Sequence, residues 1–189
     1  MAHEEALTFE LQPTLSGELL ELRPLRPEDF DALYAVASDP LIWEQHPEPD
    51  RYREERFRVY FDGALKSGGA LIAVDRKSGA VIGASRYHAY DPAASEIEIG
   101  YTFLGRPFWG GRYNGEMKRL MLNHAFRFVD RVVFLIGEDN WRSRRAVEKI
   151  GGVYAGTRID GKRQERVVYA ITAEAWRGRV AEDPPRPPA

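Results

Sequence analysis

The chain has 189 residues, of which 43% are hydrophobic and 12% aromatic, so it is long and apolar enough to build one domain with a full core. It contains no cysteine, which excludes disulfides, thiolate nucleophiles and Cys-based zinc sites. The 27 basic and 29 acidic residues nearly cancel, and no apolar run is long enough to span a bilayer, so neither a nucleic-acid partner nor a membrane is indicated. We therefore expect a soluble, cytoplasmic protein with one domain over residues 1–181 and a flexible proline-rich tail over 182–189.

The first third of the chain predicts a strand followed by two helices. The segment LLELRPLRP alternates as a strand does, and PEDFDALYAVAS has helical spacing with Pro27 near its first turn. The segment ASDPLIWEQHPEPD contains three prolines and is typical of a loop or a broken helix. A second helix is predicted from Arg51 to about Lys66.

The middle of the chain predicts three strands. ALIAVD and AVIGASRYHAY are apolar runs separated by a turn at 77–79, which is typical of a hairpin. In EIEIGYTF the apolar residues alternate with the others, so Ile97, Ile99, Tyr101 and Phe103 are expected on one face of a strand.

The last third predicts two helices and three strands. Apolar spacing predicts a helix from about Tyr113 to Phe128, and VVFLIG reads as a strand covered on both faces. A short helix follows with Asn140 as its N-cap, and then GVYAGTRI and RVVYAIT form an antiparallel pair. The strand–helix–strand unit from Glu96 to Gly137 must cross over and run parallel. The fold class is α/β (mixed α+β), with a mixed, mostly antiparallel sheet and helices on both faces.

The segment FWGGRYNGEMKRL, residues 108–120, places a glycine turn between a strand and the start of a helix. The unpaired N–H groups of a helix start are suited to an anion. No Gly-Lys-Ser/Thr and no G-x-G-x-x-G is present, so the usual nucleotide-binding loops are excluded. Taken alone, the segment is equally consistent with a plain turn between a strand and a helix.

A second motif favours the anion site, because N140-W-R-S143-R-R-A-V-E-K149-I-G151 follows about thirty residues later. With E98-I-G-Y101, W109-G110, Y113 and E116, it resembles the GCN5-related N-acetyltransferase (GNAT) superfamily. The resemblance is to the RimJ/RimL-type branch, whose members acetylate ribosomal-protein N-termini. It extends over residues 19–172.

The resemblance implies a sheet splayed at its middle, with acetyl-CoA lying in the V between two parallel strands and no metal. It implies that the pantetheine arm pairs with the strand at 101–104 and that the pyrophosphate binds the N–H groups of 110–115. The cofactor-binding residues it implies are Tyr101, Phe103, Leu104, Trp109, Gly110, Gly111, Arg112, Tyr113, Asn114, Gly115, Asn140, Arg142 and Arg145. Arg112 replaces a glycine of the pattern, and its side chain either crowds the turn or adds positive charge for the phosphates.

Acetylation of an amine needs a base for the amine and an acid for the departing thiolate, and the sequence offers candidates for both. Glu98 is the candidate base, because it shares a strand face with Glu96 and repulsion between two carboxylates makes one of them a stronger base. His88 is the rival base. The candidate acid is Ser143, with water as the alternative, because the tyrosine used by many members is Val147 here.

The predicted activity is transfer of an acetyl group from acetyl-CoA to a primary amine by direct attack. The acceptor is a small molecule or a protein N-terminus, and Trp43, His46 and His88 are expected to line its pocket. A non-catalytic acyl-CoA-binding module of the same fold is the alternative. The sequence does not distinguish a monomer from a homodimer, nor one amine from another.

Overall fold

The computed structural model describes residues 8–182, which form eight strands and five helices. The strands are β1 (Leu15–Ser16), β2 (Leu20–Pro24), β3 (Ala70–Asp75), β4 (Val81–Asp91), β5 (Glu96–Leu104), β6 (Arg131–Ile136), β7 (Val153–Ile159) and β8 (Glu165–Thr172). The helices are α1 (Phe30–Ala37), α2 (Glu54–Ser67), α3 (Arg112–Ala125), α4 (Trp141–Lys149) and α5 (Ala173–Glu182). Apart from Glu182, the predicted tail lies outside the described residues. None of the helices within 8–182 combines the length and apolar character that a membrane crossing requires.

The strands form one mixed sheet in the order β1-β2-β3-β4-β5-β6-β8-β7. Every neighbouring pair is antiparallel except β5 and β6, which confirms the predicted parallel crossover through α3. Only three residue pairs join β5 to β6, from Glu96–Arg131 to Glu98–Val133. Beyond these pairs the two strands diverge, so a wedge opens in the middle of the sheet.

Each face of the sheet is covered by its own set of helices, because each helix has one apolar side to bury. Helices α1 and α2 pack on one face, and α3 and α5 contribute to the core on the other. Helix α4 adds Val147 to the core on the α3 side. The first core includes Leu33, Phe57 and Phe103, and the second includes Ile99, Met121 and Trp176.

The predicted alternation along β5 is wrong beyond Ile99, because the strand contains a bulge. Between Gly100 and Phe103, β5 has one residue more than β4 opposite it. Tyr101 lies at this bulge with a positive φ of 54° and an exposed side chain. An extra residue reverses the alternation of faces. Phe103 therefore packs against α1 and α2, whereas Ile97 and Ile99 face α3.

The start of α3 is fixed by the buried carboxylate of Glu116. Its oxygens accept hydrogen bonds from the backbone N–H groups of Glu18, Leu19 and Leu20 at 2.9, 2.8 and 2.9 Å. A Cβ on Gly17 would lie 2.4 Å from that carboxyl group, so glycine is required there. Glu116 thus ties the helix beside the wedge to the turn between β1 and β2.

Two elements were not predicted, the two-residue strand β1 and the last helix, α5. Helix α5 buries Trp176, whose indole Nε1–H donates to Asn123 Oδ1 at 2.7 Å. Its other residues are mostly exposed and include Gly178, so its sequence has a weak apolar period.

Candidate active site

The wedge between β5 and β6 forms a cleft of about 1290 Å³. The start of α3, the start of α4 and the segment 44–48 complete its walls. Fourteen of the predicted site residues line it: His46, His88, Glu98, Tyr101, Leu104, Trp109, Gly110, Gly111, Asn114, Gly115, Asn140, Arg142, Ser143 and Arg145. The structure therefore brings both predicted motifs to one cleft.

Two predicted residues, Trp43 and Phe103, lie behind the walls of the cleft. Trp43 is buried, and its indole N–H donates to the carbonyl of Ala37 at 2.7 Å. Its ring lies 5.5 Å from the ring of His46 and 5.0 Å from that of Phe103. Trp43 therefore supports His46 and does not itself face the cleft.

The side chains of Tyr113 and Arg112 also point elsewhere. The hydroxyl of Tyr113 donates to Asp75 Oδ1 at 2.8 Å, which anchors α3 to the end of β3. Arg112 is exposed at the first position of α3 and does not line the cleft. Its side chain therefore does not crowd the turn, whereas the hydroxyl of Tyr113 is already engaged outside the cleft.

The glycine turn presents an uncapped helix start to the cleft. Gly110 and Gly111 both have a φ of +104°, a conformation that side-chain-bearing residues rarely adopt, and the space beside both is open. Within residues 8–182, no side chain caps the N-terminus of α3. Its first N–H groups are therefore available, at the positive end of the helix dipole, for a phosphate group.

The second motif forms the opposite wall. Asn140 caps α4 as predicted, because its Oδ1 accepts from the Ser143 N–H at 3.2 Å. Ser143 itself is half-buried on the cleft wall. The Arg142 guanidinium donates to the Ile42 carbonyl at 2.6 Å and lies 4.3 Å from the ring of Trp109. Burial lowers the pKa of Arg142, although a guanidinium stays charged. Arg142 thus bridges the two sides of the wedge.

The two candidate bases lie together. His88 and Glu98 face each other across β4 and β5, with His88 Nε2 and Glu98 Oε1 3.0 Å apart. The two groups are not aligned as a hydrogen bond, and among the described residues Nε2 has no hydrogen-bond partner. A Cβ on Gly100 would lie 3.0 Å from Nε2 and 3.2 Å from Oε1, so glycine leaves room for the pair.

Glu96 does not act on Glu98 as the sequence suggested. Its carboxylate accepts from the Arg158 guanidinium at 2.5 and 3.1 Å, and Arg131 lies 3.4 Å away. Two positive charges therefore offset the repulsion expected between the neighbouring carboxylates. Glu96 ties β5 to β6 and β7 at the narrow end of the wedge.

The ring of His46 is neutral and contacts Glu48 and Arg51. Burial, followed by the charge of Arg51, lowers the pKa of His46 to about 3. Its Nδ1 accepts from the Glu48 N–H at 2.9 Å, and the Arg51 guanidinium lies 3.3 Å from its Nε2. Arg51 is itself buried, paired with Glu48, and lies 4.9 Å from the ring of Tyr60.

Sequence patterns did not point to Lys118, which is buried on the floor of the cleft. Its Nζ donates to Thr102 Oγ1 at 2.5 Å and lies 3.4 Å from Ser85 Oγ. Burial lowers the pKa of Lys118 to about 7. In a helix pattern this position lies beside the apolar stripe, where a lysine is ordinarily solvated.

A buried aromatic–cation stack around the β5 bulge was also missed. The hydroxyl of Tyr60 donates to the carbonyl of Tyr101 at 3.0 Å. The Arg86 guanidinium lies 3.9 Å from the ring of Tyr101 and is almost wholly buried. These contacts hold the bulge, and with it the free edge of β5, in a fixed conformation.

The cleft in the splayed mixed sheet carries an uncapped helix start and the Glu98–His88 pair, the arrangement expected of an enzyme that transfers an acyl group. Residues 20–153 match the family model for the acetyltransferase (GNAT) domain. Because the match extends over more than half of the chain, the protein belongs to this family. It is an acetyl-CoA-dependent N-acetyltransferase by class, and the superfamily recognised from its motifs is confirmed.

Solved structures of similar fold include several acetyltransferases. A protein from T. thermophilus described as an acetyltransferase is 29% identical, with a TM-score of 0.74 over 93% of this chain and 97% of that one. A GCN5-related N-acetyltransferase from Brucella melitensis is 23% identical, with a TM-score of 0.74 over 88% and 81%. Mycobacterium smegmatis RimJ in complex with CoA-disulfide is 21% identical, with a TM-score of 0.63 over 86% and 88%. The last two show a shared fold.

Proposed function

We propose that the protein transfers the acetyl group of acetyl-CoA to a primary amine by direct attack, as a RimJ/RimL-type enzyme of the cytoplasm. The observation that supports this most is the presence of an uncapped helix start and of the Glu98–His88 pair on one cleft. Between them runs the part of β5 from Glu98 to Leu104, roughly 20 Å of extended strand. The donor can therefore bind with its phosphates at the glycine turn and its thioester near the Glu98–His88 pair.

The donor half of the cleft offers groups that match acetyl-CoA. The N–H groups of 110–114 bind the pyrophosphate, whereas the Gly115 N–H, which was expected to join them, already donates to the Gly111 carbonyl at 2.8 Å. The edge of β5 at Tyr101–Leu104, which β6 does not cover, pairs with the amides of the pantetheine arm. Arg142 and Arg145 contact the remaining phosphate. When bound, acetyl-CoA supplies an activated thioester carbonyl.

The acceptor half supplies the proton chemistry. The carboxylate of Glu98 accepts a proton from the attacking amine, and His88, whose Nε2 lies 3.0 Å from Glu98 Oε1, is the alternative base. The Ser143 hydroxyl donates a proton toward the departing sulfur, while Asn140 orients the helix turn that presents it. Since the chain has no cysteine, a covalent thioester on the enzyme is not part of the proposal.

The proposed amine acceptor is a protein N-terminus or a small molecule. An assay that measures the free CoA thiol released from acetyl-CoA distinguishes the two. A panel of a ribosomal-protein N-terminal peptide, a free amino acid, a polyamine and an aminoglycoside is incubated with acetyl-CoA. We expect at least one amine to release free CoA with the wild-type protein. Binding of CoA without release for any amine would favour the non-catalytic module instead.

Two variants test the assigned roles. Glu98→Gln keeps the shape of the side chain and removes the base, so kcat/KM should fall by about 10²- to 10⁴-fold. Ser143→Ala should lower kcat with little change in CoA affinity. The matched control is Glu174→Gln, because Glu174 is exposed on α5. Unchanged kcat/KM in Glu98→Gln would contradict the assignment of the base.

A further inference from the structure

Lys118 presents an ammonium group that no carboxylate neutralises. Across residues 8–182, no acidic oxygen comes within ion-pair distance of its Nζ, and its hydrogen-bond partners are the hydroxyls of Thr102 and Ser85. A buried ammonium is costly unless an anion or a metal compensates for it. Among residues 8–182, the charged form of Lys118 therefore lacks a negative partner that would compensate for its burial.

The position of Lys118 indicates where that partner lies. Nζ is 5.6 Å from the ring centre of Phe134 on β6 and 2.5 Å from Thr102 on β5. It therefore sits between the two diverging strands, in the cleft that Glu98 and Ser143 also line. No charged neighbour accounts for its altered basicity, since burial is the cause that lowers the pKa.

We propose that Lys118 is a catalytic residue whose Nζ stabilises the negative charge on the sulfur of CoA. The proposal rests on the proposed function, because it takes the β5 edge at Tyr101–Leu104 as the place of the pantetheine arm. The phosphates are not the partner of Lys118, because the proposal places them at the exposed glycine turn and Lys118 lies deeper, nearly two turns after Arg112, the first residue of α3. The sulfur at the end of the pantetheine arm is a small anion, and it would reach the deeper position of Lys118.

The step balances without another reagent. As the new N–C bond forms, the C–S bond breaks and its electron pair passes to sulfur. The Lys118 ammonium donates a hydrogen bond to that sulfur and keeps its own proton. The proton lost by the amine passes to Glu98. The proton that completes the thiol comes from water, directly or relayed through the Ser143 hydroxyl, which regains its own proton from that water. Because Lys118 is buried, a charge-assisted hydrogen bond from its ammonium is worth more than one made in solution.

The test compares CoA with desulfo-CoA, which lacks only the thiol. Calorimetric affinities are measured for the wild type, Lys118→Met and Lys118→Arg. We expect the wild type to prefer CoA by about tenfold to a hundredfold. Lys118→Met should lose this preference while still binding desulfo-CoA, which shows that the site is folded. Lys118→Arg keeps the charge and should retain part of the preference.

A second readout is the ultraviolet absorbance of the bound thiolate during a pH titration. The thiolate should form at lower pH in the wild-type complex than in the Lys118→Met complex. Equal preference and equal titration in both proteins would overturn the role of Lys118 while leaving the donor site intact. Failure of the wild type to bind either ligand would instead remove the proposed function, and this inference with it.

Discussion

Lys118 should make the stability of the protein depend on pH in a defined direction. Its pKa is lowered by burial from 10.5 in the unfolded chain to about 7 in the folded one. Between those values the unfolded state binds one more proton than the folded state, so the free energy of unfolding rises with pH from about 7 to 10.5. The rise is about 1.4 kcal/mol per pH unit and about 5 kcal/mol in all.

Lys118→Met removes the charge and keeps a flexible apolar side chain of similar length. We expect the stability of this variant relative to the wild type to be greatest below pH 7 and to fall by about 5 kcal/mol as the pH rises to 10.5. The hydroxyls of Ser85 and Thr102 lie 2.8 Å apart and still bond to each other, so the variant leaves no buried polar atom unpaired there.

Urea unfolding at a series of pH values between about 6 and 10 measures the margin. The control is Lys66→Met, because Lys66 is exposed on α2 and its removal should give a curve parallel to that of the wild type. A margin for Lys118→Met that stays constant over the whole series would refute the reasoning, since it would mean that the buried amine keeps its ordinary basicity.

Three further substitutions test the parts of the site separately. Gly111→Ala should cost about 1–3 kcal/mol of stability and weaken CoA binding, because the φ of Gly111 is +104°. The control is Gly63→Ala, which lies in the interior of α2 with open space beside it and should stabilise the protein by about 0.5–1 kcal/mol. The same loss of stability in both variants would contradict the role of the turn. Glu116→Ala should lower the free energy of unfolding, measured by chemical denaturation, by about 2–4 kcal/mol, because three backbone N–H groups lose their acceptor. A loss below about 1 kcal/mol would mean that these N–H groups find another acceptor. Gly100→Ala should lower kcat roughly tenfold and leave CoA affinity unchanged, because the methyl group of the alanine presses on the His88–Glu98 pair. An equal loss of CoA affinity would show that the substitution had moved the bulge itself.

Local patterns predicted most of the framework correctly. The strands and helices around the wedge follow from apolar periods of two and 3.6 residues and from turn residues, and the parallel crossover follows from the length of the link between β5 and β6. The cap at Asn140 and the uncapped glycine turn are also local, since each is determined by a few consecutive residues. The family motifs reside in these same segments.

The interactions that the sequence did not reveal join distant parts of the chain. The bulge at Tyr101 appears only when β5 is laid against β4, and it reverses the face of Phe103. Glu96 meets Arg158 across 62 positions, and Lys118 reaches Ser85 across 33. Periodicity describes one helix or strand at a time. It therefore does not indicate that Glu96 is neutralised by a distant arginine or that Lys118 is buried.

The most direct test of the central claim, that acetyl-CoA binds in the wedge through the glycine turn, is a thermal-shift titration with acetyl-CoA, CoA, ATP and NAD side by side. A ligand at a hundredfold excess over its dissociation constant adds about 2.7 kcal/mol, which for this size corresponds to a rise in Tm of roughly 5–10 °C. We predict such a rise with acetyl-CoA and CoA, little with NAD, and a reduced one in Gly111→Ala. No rise with either CoA species, or an equal rise with NAD, would contradict the claim.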